Sequence, residues 1–555
     1  MKHSNRLPRI ALILAISIFL MLLEGCAPSQ TTSSTTPSTT KSGTTAGTTT
    51  LSNNPGDQFG KYDKPITISV LSTDPKNTAT EYSSTNPKRK SASENEWIDA
   101  YSEYLNIKVD RKIAEDATAL NATINTAMAS GKLPDVMIVS KSMFYTLVEN
   151  GVCADLTNAY KTYSTTHGKM MAEMVDNAPN ILKTGTVDGK LVGFPFFCAL
   201  YGNSEVLWVR QDWLSKVGMS APKTITELEA VAKAFKDAKF DGKATIGLGL
   251  TGVPSSIMAA YGVVMDTWYQ QADKSYIYSN VRDEMKAGLL AVQSMYKKGL
   301  FKNDFAVTNI IGEEIANGVV GMYYAPAWHS VTSIQANMNN DPKAEWLPYR
   351  IPSLDGGSIK QWTNDQVGQF IVVNKNCQNP EAIFKMLELE MNIYYDPTDE
   401  ESLKYNYNAD GFQMWNLRIF RDWGIVDKDH YKARLMIEAI DKKSDKVPPV
   451  TIDSWKLVKA GLNGDRKVYG YYLGFIKGHP IIMEQRAKGM LVGGYNGPIT
   501  ENMSLYEKTI NEALTNAMLK VITGSDISVF ENAVKTWNES GGQAITKDVN
   551  AYYKK

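Results

Sequence analysis

The chain has 555 residues, with 59 basic and 59 acidic residues, so its formal net charge is zero. Balanced charge argues against nucleic acid or an anionic membrane surface as the main partner. The first 61 residues comprise a short apolar run and a polar Ser/Thr-rich segment. Without them about 490 residues remain, which is too many for a single hydrophobic core and predicts two or three lobes.

The N-terminus predicts an export signal. Lys2, Arg6 and Arg9 precede an almost wholly apolar run at 10–23, and Gly25 stands directly before Cys26. The basic start and short apolar run are typical of a secretory signal, and the whole segment resembles a bacterial lipoprotein signal. We expect a signal peptide over 1–25 and a lipid on Cys26. An uncleaved anchor helix is the alternative, and it also holds the chain at a membrane.

The segment 26–61 is rich in Ser and Thr and offers almost nothing to bury. Such a composition cannot offset the entropy of ordering the chain, so the segment is predicted to be a disordered tether.

Predicted elements then alternate along the chain. Apolar alternation and β-branched residues predict strands at 66–71, 107–109 and 134–139, and helical spacing predicts helices at 96–105 and 120–128. This order predicts a parallel sheet with helices on its faces.

A second group of elements follows. A turn at 189–195 enters a crossing, a strand covers 208–210, and Asp212 is predicted to cap a short helix. Thr224 or Thr226 is predicted to cap the next helix. Its buried stripe comprises Leu228, Val231, Ala232 and Phe235. Strands are predicted at 319–324 and 370–373, and a helix at 380–389.

Two motifs have specific meanings elsewhere. Residues 247–252 match G-x-G-x-x-G, but Pro254 follows and the chain is predicted to be exported, so we expect a glycine-rich turn at a cleft edge rather than a nucleotide site. Residues 237–248 have the outline of a calcium loop, with Lys239 and Leu248 at two ligand positions. A plain loop is expected there, and neither a metal nor a cofactor is predicted.

Cysteines and histidines indicate no catalytic site. Cys153, Cys198 and Cys377 are far apart without a C-x-x-C spacing, so buried free thiols are expected rather than a bridge. The sequence has neither H-E-x-x-H nor G-x-S-x-G, and its five histidines are scattered. A glycosidase with two carboxylates is the enzymatic alternative.

Seven stretches carry a family resemblance when they are taken in order: ASGKLPDVMIVS (129–140), LVENGVCADLTNAY (147–160), DGKLVGFPF (188–196), LWVRQDWLSKVGMSAPKTITELEAVAKAF (207–235), GMYYAPAW (321–328), FIVVNKNCQNPEAIFKML (370–387) and FENAVKTWNESGGQAITKDVNAYY (530–553). Together they resemble the bacterial extracellular solute-binding proteins of carbohydrate ABC transporters, especially the large lipoprotein branch that includes the alginate-binding type.

The resemblance implies an α/β fold of the two-lobed periplasmic-binding-protein type (type II), with discontinuous lobes joined by hinge strands. We expect one lobe at 62–200 plus about 367–420, and the other at 201–366 plus about 421–555, with crossings near Tyr201, near Gln366 and in the 420s. The implied function is that of a monomeric, non-enzymatic lipoprotein that closes on an oligosaccharide and passes it to a membrane permease. Because the chain is predicted to be exported but is poor in disulfides, we expect it at the extracellular face of the cell membrane of a Gram-positive bacterium.

Sugar recognition requires flat aromatic rings for the C–H faces and fixed polar groups for the hydroxyl edges. Trp328 stands where relatives such as maltose-binding proteins place a stacking Trp. Trp97, Trp208, Trp213 and Trp537 are predicted to be core. The predicted ligand-binding residues are Trp328, Trp268, Tyr269, Trp362, Tyr201, Asn203, Lys141, Ser140, Asp365, Asn364, Tyr324, Tyr495 and Trp455.

The charge of the sugar stays open, because an acidic chain needs a base in the cleft, and Lys141, Arg350 and Lys360 are the candidates. Two functional alternatives stay open as well: capture of peptides for an importer, and a glycan-binding surface sensor or adhesin.

Overall fold

The computed structural model describes residues 60–73, 93–163, 181–197, 204–307, 311–362, 367–395, 398–406, 414–420, 428–447, 451–492, 495 and 497–554. The predicted signal peptide, Cys26 and nearly all of the predicted tether lie outside the described residues. In the described part, no helix combines the length and the apolar character that a membrane crossing requires.

The strands of the described residues are β1 (Ile66–Thr73), β2 (Ile107–Ala114), β3 (Val136–Ser140), β4 (Thr186–Val187), β5 (Lys190–Leu191), β6 (Phe194–Phe197), β7 (Glu205–Arg210), β8 (Ile246–Gly249), β9 (Trp268–Gln270), β10 (Tyr276–Tyr278), β11 (Val320–Pro326), β12 (Trp346–Tyr349), β13 (Gln361–Trp362), β14 (Val367–Val373) and β15 (Leu491–Val492).

The α-helices there are Glu96–Leu105, Ala117–Ala129, Lys141–Glu149, Thr157–Tyr163, Ile181–Thr184, Gln211–Val217, Ile225–Ala238, Ser255–Ala260, Glu284–Lys297, Gly312–Ala316, Ser333–Asn340, Ala382–Tyr395, Asp399–Glu401, Lys428–Asp441, Ile452–Leu462, Tyr469–Tyr472, His479–Ala487, Lys508–Ile522, Ser528–Trp537 and Gln543–Tyr553. Short 3₁₀ or π segments are Phe240–Gly242, Ser279–Val281, Ala327–Val331, Ser402–Asn406, Met414–Leu417, Arg466–Val468, Leu473–Gly478, Met503–Glu507 and Asn538–Gly542.

The first sheet has the strand order β2-β1-β3-β14-β6. β1 runs parallel to both β2 and β3, as the strand–helix alternation predicts. β14 comes from much later in the chain and runs antiparallel to β3, with Gln369 opposite Ser140. Val136 to Val139 are buried without alternation, which is typical of a strand covered on both faces.

The second sheet has the strand order β12-β7-β11-β8. β11 is parallel to β8 and antiparallel to β7. The carboxyl ends of β8 and β11 and the first residue of β7 therefore meet at one edge of this sheet, and we call it the ligand edge. Pro326 at the end of β11 pairs with Glu205 at the start of β7.

The two faces of the second sheet pack against two different hydrophobic cores. Val206 and Trp208 of β7 belong to the first core, whereas Leu207 and Val209 belong to the second. Successive side chains of a strand point to opposite faces, so one strand contributes to both cores. The first core continues from the first sheet, and the second includes the helices Ile225–Ala238 and Lys508–Ile522.

The chain passes between the two sheets close to the ligand edge. β6 of the first sheet ends at Phe197 and β7 of the second begins at Glu205, while β13 ends at Trp362 and β14 of the first sheet begins at Val367. The intervening segments, which hold the predicted crossings near Tyr201 and Gln366, lie outside the described residues, as does 421–427. The lobe boundaries stay predictions.

Of the two helix caps predicted in this part of the chain, one is confirmed and the other is wrong. Thr224 caps the helix Ile225–Ala238 in a capping box with Glu227, as one of the two predicted threonines. The prediction for Asp212 is wrong, because Arg210 occupies the cap position of the helix Gln211–Val217 and Asp212 lies in its first turn. Asp212 instead accepts a hydrogen bond of 2.8 Å from Arg210, whose buried guanidinium requires a partner.

Buried residues confirm most of the core prediction. The four tryptophans predicted to be core are at most 3 % exposed. Cys153 and Cys377 are free and half-buried, and burial raises the pKa of Cys153 to about 12 and that of Cys377 to about 11. Both thiols are therefore protonated and unreactive at neutral pH. Cys198 lies outside the described residues.

Gly247 provides a test of how the second sheet packs. A Cβ at this position would lie 2.0 Å from the carbonyl oxygen of Ala232, in the helix that covers β8. Because both partners are backbone, no rotamer change relieves the overlap. We expect Gly247→Ala to lower the free energy of unfolding by about 3 kcal/mol, measured by urea denaturation.

The matched control is Gly368→Ala in β14, where an added Cβ meets nothing within 4 Å. We expect this variant to be as stable as the wild type or more stable by about 0.5 kcal/mol, since alanine loses less backbone entropy. Equal stability of the two variants would contradict the tight packing at Gly247.

Candidate ligand-binding site

The ligand edge holds two adjoining cavities. The larger has a volume of about 320 Å³ and the smaller about 230 Å³. Glu205, Ser255 and Ser256 line both. The larger is also lined by Gly249, Leu250, Thr251, Val253, Pro254, Ile311, Gly312, Ile315, Tyr323, Tyr324, His329 and Ser333, and the smaller by Ala259, Val264, Met265 and Gln361. In an α/β fold this is where ligands bind, outside the carboxyl ends of parallel strands.

The predicted glycine motif forms part of this wall. Gly247 and Gly249 belong to β8 rather than to a turn, so the turn begins only at Leu250. Leu250 and Thr251 then line the larger cavity. The expectation of a glycine-rich turn is therefore wrong for the first half of the motif, since the close packing of β8 on its helix requires glycine within the strand.

Glu205 is the acidic group of the site. It is half-buried, and it accepts a hydrogen bond from the hydroxyl of Ser256. Burial raises the pKa of its carboxyl, and the Ser256 hydrogen bond partly opposes that rise. Within the described part of the chain, Glu205 forms no ion pair, and none of the lining residues is Lys or Arg.

Tyr324 and His329 supply further polar groups. The Tyr324 hydroxyl and His329 Nδ1 are buried without a hydrogen-bond partner among the described residues. Burial lowers the pKa of His329 to about 4, so its imidazole is neutral at physiological pH. Burial, and then the nearby Glu205 carboxylate, raise the pKa of Tyr324. Unsatisfied buried polar groups are costly, and a ligand with hydroxyls would satisfy them.

Trp328 lies beside these groups on the short helix Ala327–Val331. Its ring is half-buried and packs on His329 with 4.2 Å between the ring centroids. Trp328 itself is not among the residues that line the cavities, whereas its neighbour His329 is.

Gly470 holds this short helix in place. A Cβ at Gly470 would lie 2.2 Å from the carbonyl oxygen of Ser330, so the segment around Gly470 packs directly against the backbone that carries Trp328 and His329. The positions of these two rings therefore depend on residues about 140 positions later in the sequence.

Ser140 is the last residue of β3, so Ser140 and Lys141 lie at the carboxyl end of a parallel strand of the first sheet. Ser140 caps the helix Lys141–Glu149, and the Lys141 ammonium lies 5.3 Å from the centroid of the Tyr495 ring. Tyr495 belongs to the second core, so this contact joins the two parts of the molecule. Burial lowers the pKa of Lys141 to about 8, and the carboxylate of Glu507 opposes that change.

The lowered pKa of Lys141 has a consequence for stability. Between about pH 8 and its ordinary value of 10.5, the unfolded chain holds a proton on Lys141 that the folded chain has lost. The free energy of unfolding of the wild type therefore increases as the pH rises through that window, because Lys141 binds a proton only in the unfolded chain. We expect the melting temperature of Lys141→Met, relative to that of the wild type, to fall steadily from pH 8 to pH 10.5.

The control for this measurement is Lys508→Met, whose side chain is 88 % exposed. Its melting temperature should keep a constant offset from the wild type over the same window. A constant offset for Lys141→Met as well would contradict the burial of its ammonium.

The remaining predicted residues lie elsewhere or outside the description. Trp268 is 9 % exposed and packs on Tyr278, while Tyr269 is 39 % exposed beneath the guanidinium of Arg282. Trp455 is 7 % exposed in a small helical cluster with Met436 and Val458. The structure does not bring these three rings into the cavity lining.

Trp362 follows Gln361 of the smaller cavity, but only its backbone is described. Tyr201, Asn203, Asn364 and Asp365 lie outside the described residues. Of the candidate bases, Arg350 forms an ion pair with Glu484, and Lys360 is exposed.

Sequence analysis missed Glu205, Ser256, His329 and Gln361 as site residues. Two signals were available: Glu205 is an acidic residue directly before the apolar strand residues Val206–Val209, and His329 stands beside the predicted stacking tryptophan. Neither pattern differs from that of an ordinary solvated strand end.

The calcium-like loop contains a short 3₁₀ turn, Phe240–Gly242, after Lys239 in a left-handed conformation. The Phe240 ring packs on Trp213, with 4.3 Å between ring centroids. In the described part of the chain, no three His, Cys, Asp or Glu side chains are grouped so as to hold a metal.

Comparison with known proteins identifies the family. A family model described as "Bacterial extracellular solute-binding protein" matches residues 96–385, more than half of the chain. The chain belongs to this family. This solute-binding protein is 22 % identical over 445 residues to the polygalacturonan/rhamnogalacturonan-binding protein YtcQ of Bacillus subtilis, covering 78 % of this chain and 82 % of YtcQ. It is also 22 % identical over 465 residues to the lipoprotein LipO of Bacillus subtilis, covering 79 % and 84 % of the two chains.

Solved structures agree on the fold. An extracellular solute-binding protein from Bifidobacterium longum subsp. infantis superposes with a TM-score of 0.59 at 15 % identity, over 89 % of this chain and 99 % of the other. The alginate-binding protein AlgQ2 gives 0.57 at 14 % identity, over 89 % and 99 %. The FusA substrate-binding protein of S. pneumoniae, in complex with kestose, gives 0.55 at 14 % identity, over 88 % and 99 %. The predicted two-lobed type II fold is confirmed.

Proposed function

We propose that this solute-binding protein captures an oligosaccharide at the ligand edge by closure of its two lobes and delivers it to the permease of an ABC importer. The observation that carries the proposal is a cavity lined by Glu205, Tyr324 and His329, in which the Tyr324 hydroxyl and His329 Nδ1 have no hydrogen-bond partner among the described residues. The Trp328 ring packs on His329. Sugars combine hydroxyl edges with apolar C–H faces, so they match polar groups set beside an aromatic ring.

The comparisons support a carbohydrate ligand. YtcQ is described as binding polygalacturonan or rhamnogalacturonan, AlgQ2 as binding alginate, and FusA is described in complex with kestose. We propose that the site is built from Glu205, His329, Ser256 and Gln361 and from the predicted residues other than Trp268, Tyr269 and Trp455, with Trp328 and Tyr324 as its central members. No chemical change of the ligand forms part of this function.

We propose further that Cys26 carries a lipid and that the polar segment 26–61 tethers the binding body to the outer face of the cell membrane of a Gram-positive bacterium. The basic and apolar start of the chain supports this anchor, and the lipoprotein LipO is a relative. The lobes are proposed at 62–200 plus about 367–420 and at 201–366 plus about 421–555. Replacement Cys26→Ser should release the protein from the membrane fraction of the producing cells.

The test of ligand class uses the full chain purified in detergent. Unfolding is monitored by tryptophan fluorescence in the presence of neutral oligosaccharides, uronate oligosaccharides, monosaccharides and short peptides. A ligand that binds only the folded state must raise the melting temperature by mass action. We expect a rise with an oligosaccharide class. A rise only with peptides would replace this proposal by peptide import.

A further inference from the structure

We infer that the ligand edge selects a neutral oligosaccharide and excludes chains of uronic acids; the inference rests on the proposed function. It is carried by two adjoining cavities whose described walls hold one acidic side chain, Glu205, and no basic side chain.

Glu205 lies where a ligand in either cavity meets its carboxyl group. As the first residue of β7, it stands where the chain enters the second sheet, and it lines both cavities. Ser256 donates its hydroxyl to one carboxylate oxygen, which leaves the other free to accept from a ligand. Burial raises the pKa of this carboxyl, and both of its forms bond sugar hydroxyls. A uronate beside it would be a second acid in a buried site with no base in the described lining.

No basic side chain among the described lining residues would offset the negative charge of a uronate beside Glu205. The other polar side chains of the larger cavity are Thr251, Ser255, Ser256, Ser333, Tyr323, Tyr324 and a neutral His329.

Lys141 is a predicted base that directly follows β3 of the first sheet, and its ammonium interacts with other groups of the protein. Its ammonium lies over the Tyr495 ring and is attracted by the Glu507 carboxylate. Arg350 is occupied by Glu484 on the surface. The bases proposed for an acidic sugar therefore either interact with other groups of the protein or are exposed, and none of them is among the described residues that line the two cavities.

The test compares matched sugars on the full chain in detergent by isothermal titration calorimetry. The neutral panel contains cello-, manno-, xylo- and galacto-oligosaccharides, and the acidic panel contains galacturonate, mannuronate and guluronate oligosaccharides of the same lengths. We expect binding within the neutral panel, and affinities for the acidic panel lower by on the order of a hundredfold, since a uronate carboxylate would be buried beside Glu205 without a basic partner in the described lining.

Two variants connect the selectivity to Glu205. Glu205→Gln keeps the shape but removes the charge, so we expect about tenfold weaker binding of the neutral ligand and a measurable gain for the acidic panel. Glu512→Gln, an exposed carboxylate, is the control and should change neither affinity. Melting temperatures of both variants show that they are folded, and the wild-type comparison needs no variant at all.

The outcomes separate this inference from the proposed function. Tight binding of uronates by the wild type, or unchanged selectivity in Glu205→Gln, overturns the neutral-sugar inference and leaves oligosaccharide capture standing. Binding by no member of either panel overturns the proposed function and this inference with it.

Discussion

Trp328→Ala is expected to weaken ligand binding by about 30-fold or more, which corresponds to about 2 kcal/mol, the size of a binding hot spot. Trp328 is the second residue after the strand β11, and its ring is half-buried. The ring packs on His329, which lines the larger cavity. Removing the ring exposes the apolar face of a bound sugar and also frees the imidazole to move. The measurement is calorimetric titration with the ligand that gives the largest thermal shift.

Trp328→Phe serves as the matched variant, because it keeps a flat ring at the same position. We expect an affinity between those of the wild type and Trp328→Ala. Both variants should melt within a few degrees of the wild type, because the side chain is only partly buried. Full affinity in a folded Trp328→Ala protein would remove this residue from the site.

Glu390→Ala is expected to have the largest effect on stability, a loss of about 3–5 kcal/mol in the free energy of unfolding. Glu390 is fully buried and accepts hydrogen bonds from the Tyr101 hydroxyl and from the backbone N–H groups of Ile419 and Phe420, at 3.1 and 3.0 Å. The Arg418 guanidinium lies 4.0 Å away. The variant would leave these buried donors without their acceptor.

The control is a surface ion pair in the same part of the molecule. Glu103 lies 3.3 Å from Lys404, and both side chains are about half exposed. Glu103→Ala should cost less than about 1 kcal/mol, because solvent screens such pairs. The two variants are compared by urea denaturation followed by circular dichroism. Similar losses in both would show that the buried Glu390 network contributes no more than a surface pair.

Much of the local structure could be predicted from short windows of sequence. The strand at 66–71, the helix at 96–105 and the capping threonine all follow from periodicity and side-chain capping within a few residues, and the structure has them at Ile66–Thr73, Glu96–Leu105 and Thr224. The prediction for Asp212 is wrong because its carboxylate accepts hydrogen bonds from Arg210 and from the backbone N–H of Glu345, which is distant in sequence. A local rule cannot detect such a partner.

The candidate site was predicted only in part. Tyr324 and the neighbourhood of Trp328 could be anticipated because they end a recognisable strand. Glu205 and Ser256 could not, since they are 51 positions apart and meet only when the second sheet forms. Trp268 and Trp455 have the same chemistry as a stacking ring, but their burial in cores depends on helices far away in the sequence.

By itself, the sequence determined the order of strands and helices, the export signal as a prediction, and the resemblance to solute-binding proteins. These features are encoded locally, by hydrophobic period, capping side chains and short ordered motifs. Only the tertiary structure decided which aromatic rings are core and where the carboxyl group of Glu205 lies. Those outcomes depend on β14 inserting beside β3 and on β7 pairing with β11, contacts between segments more than 100 residues apart, whose burial and charge no local pattern records.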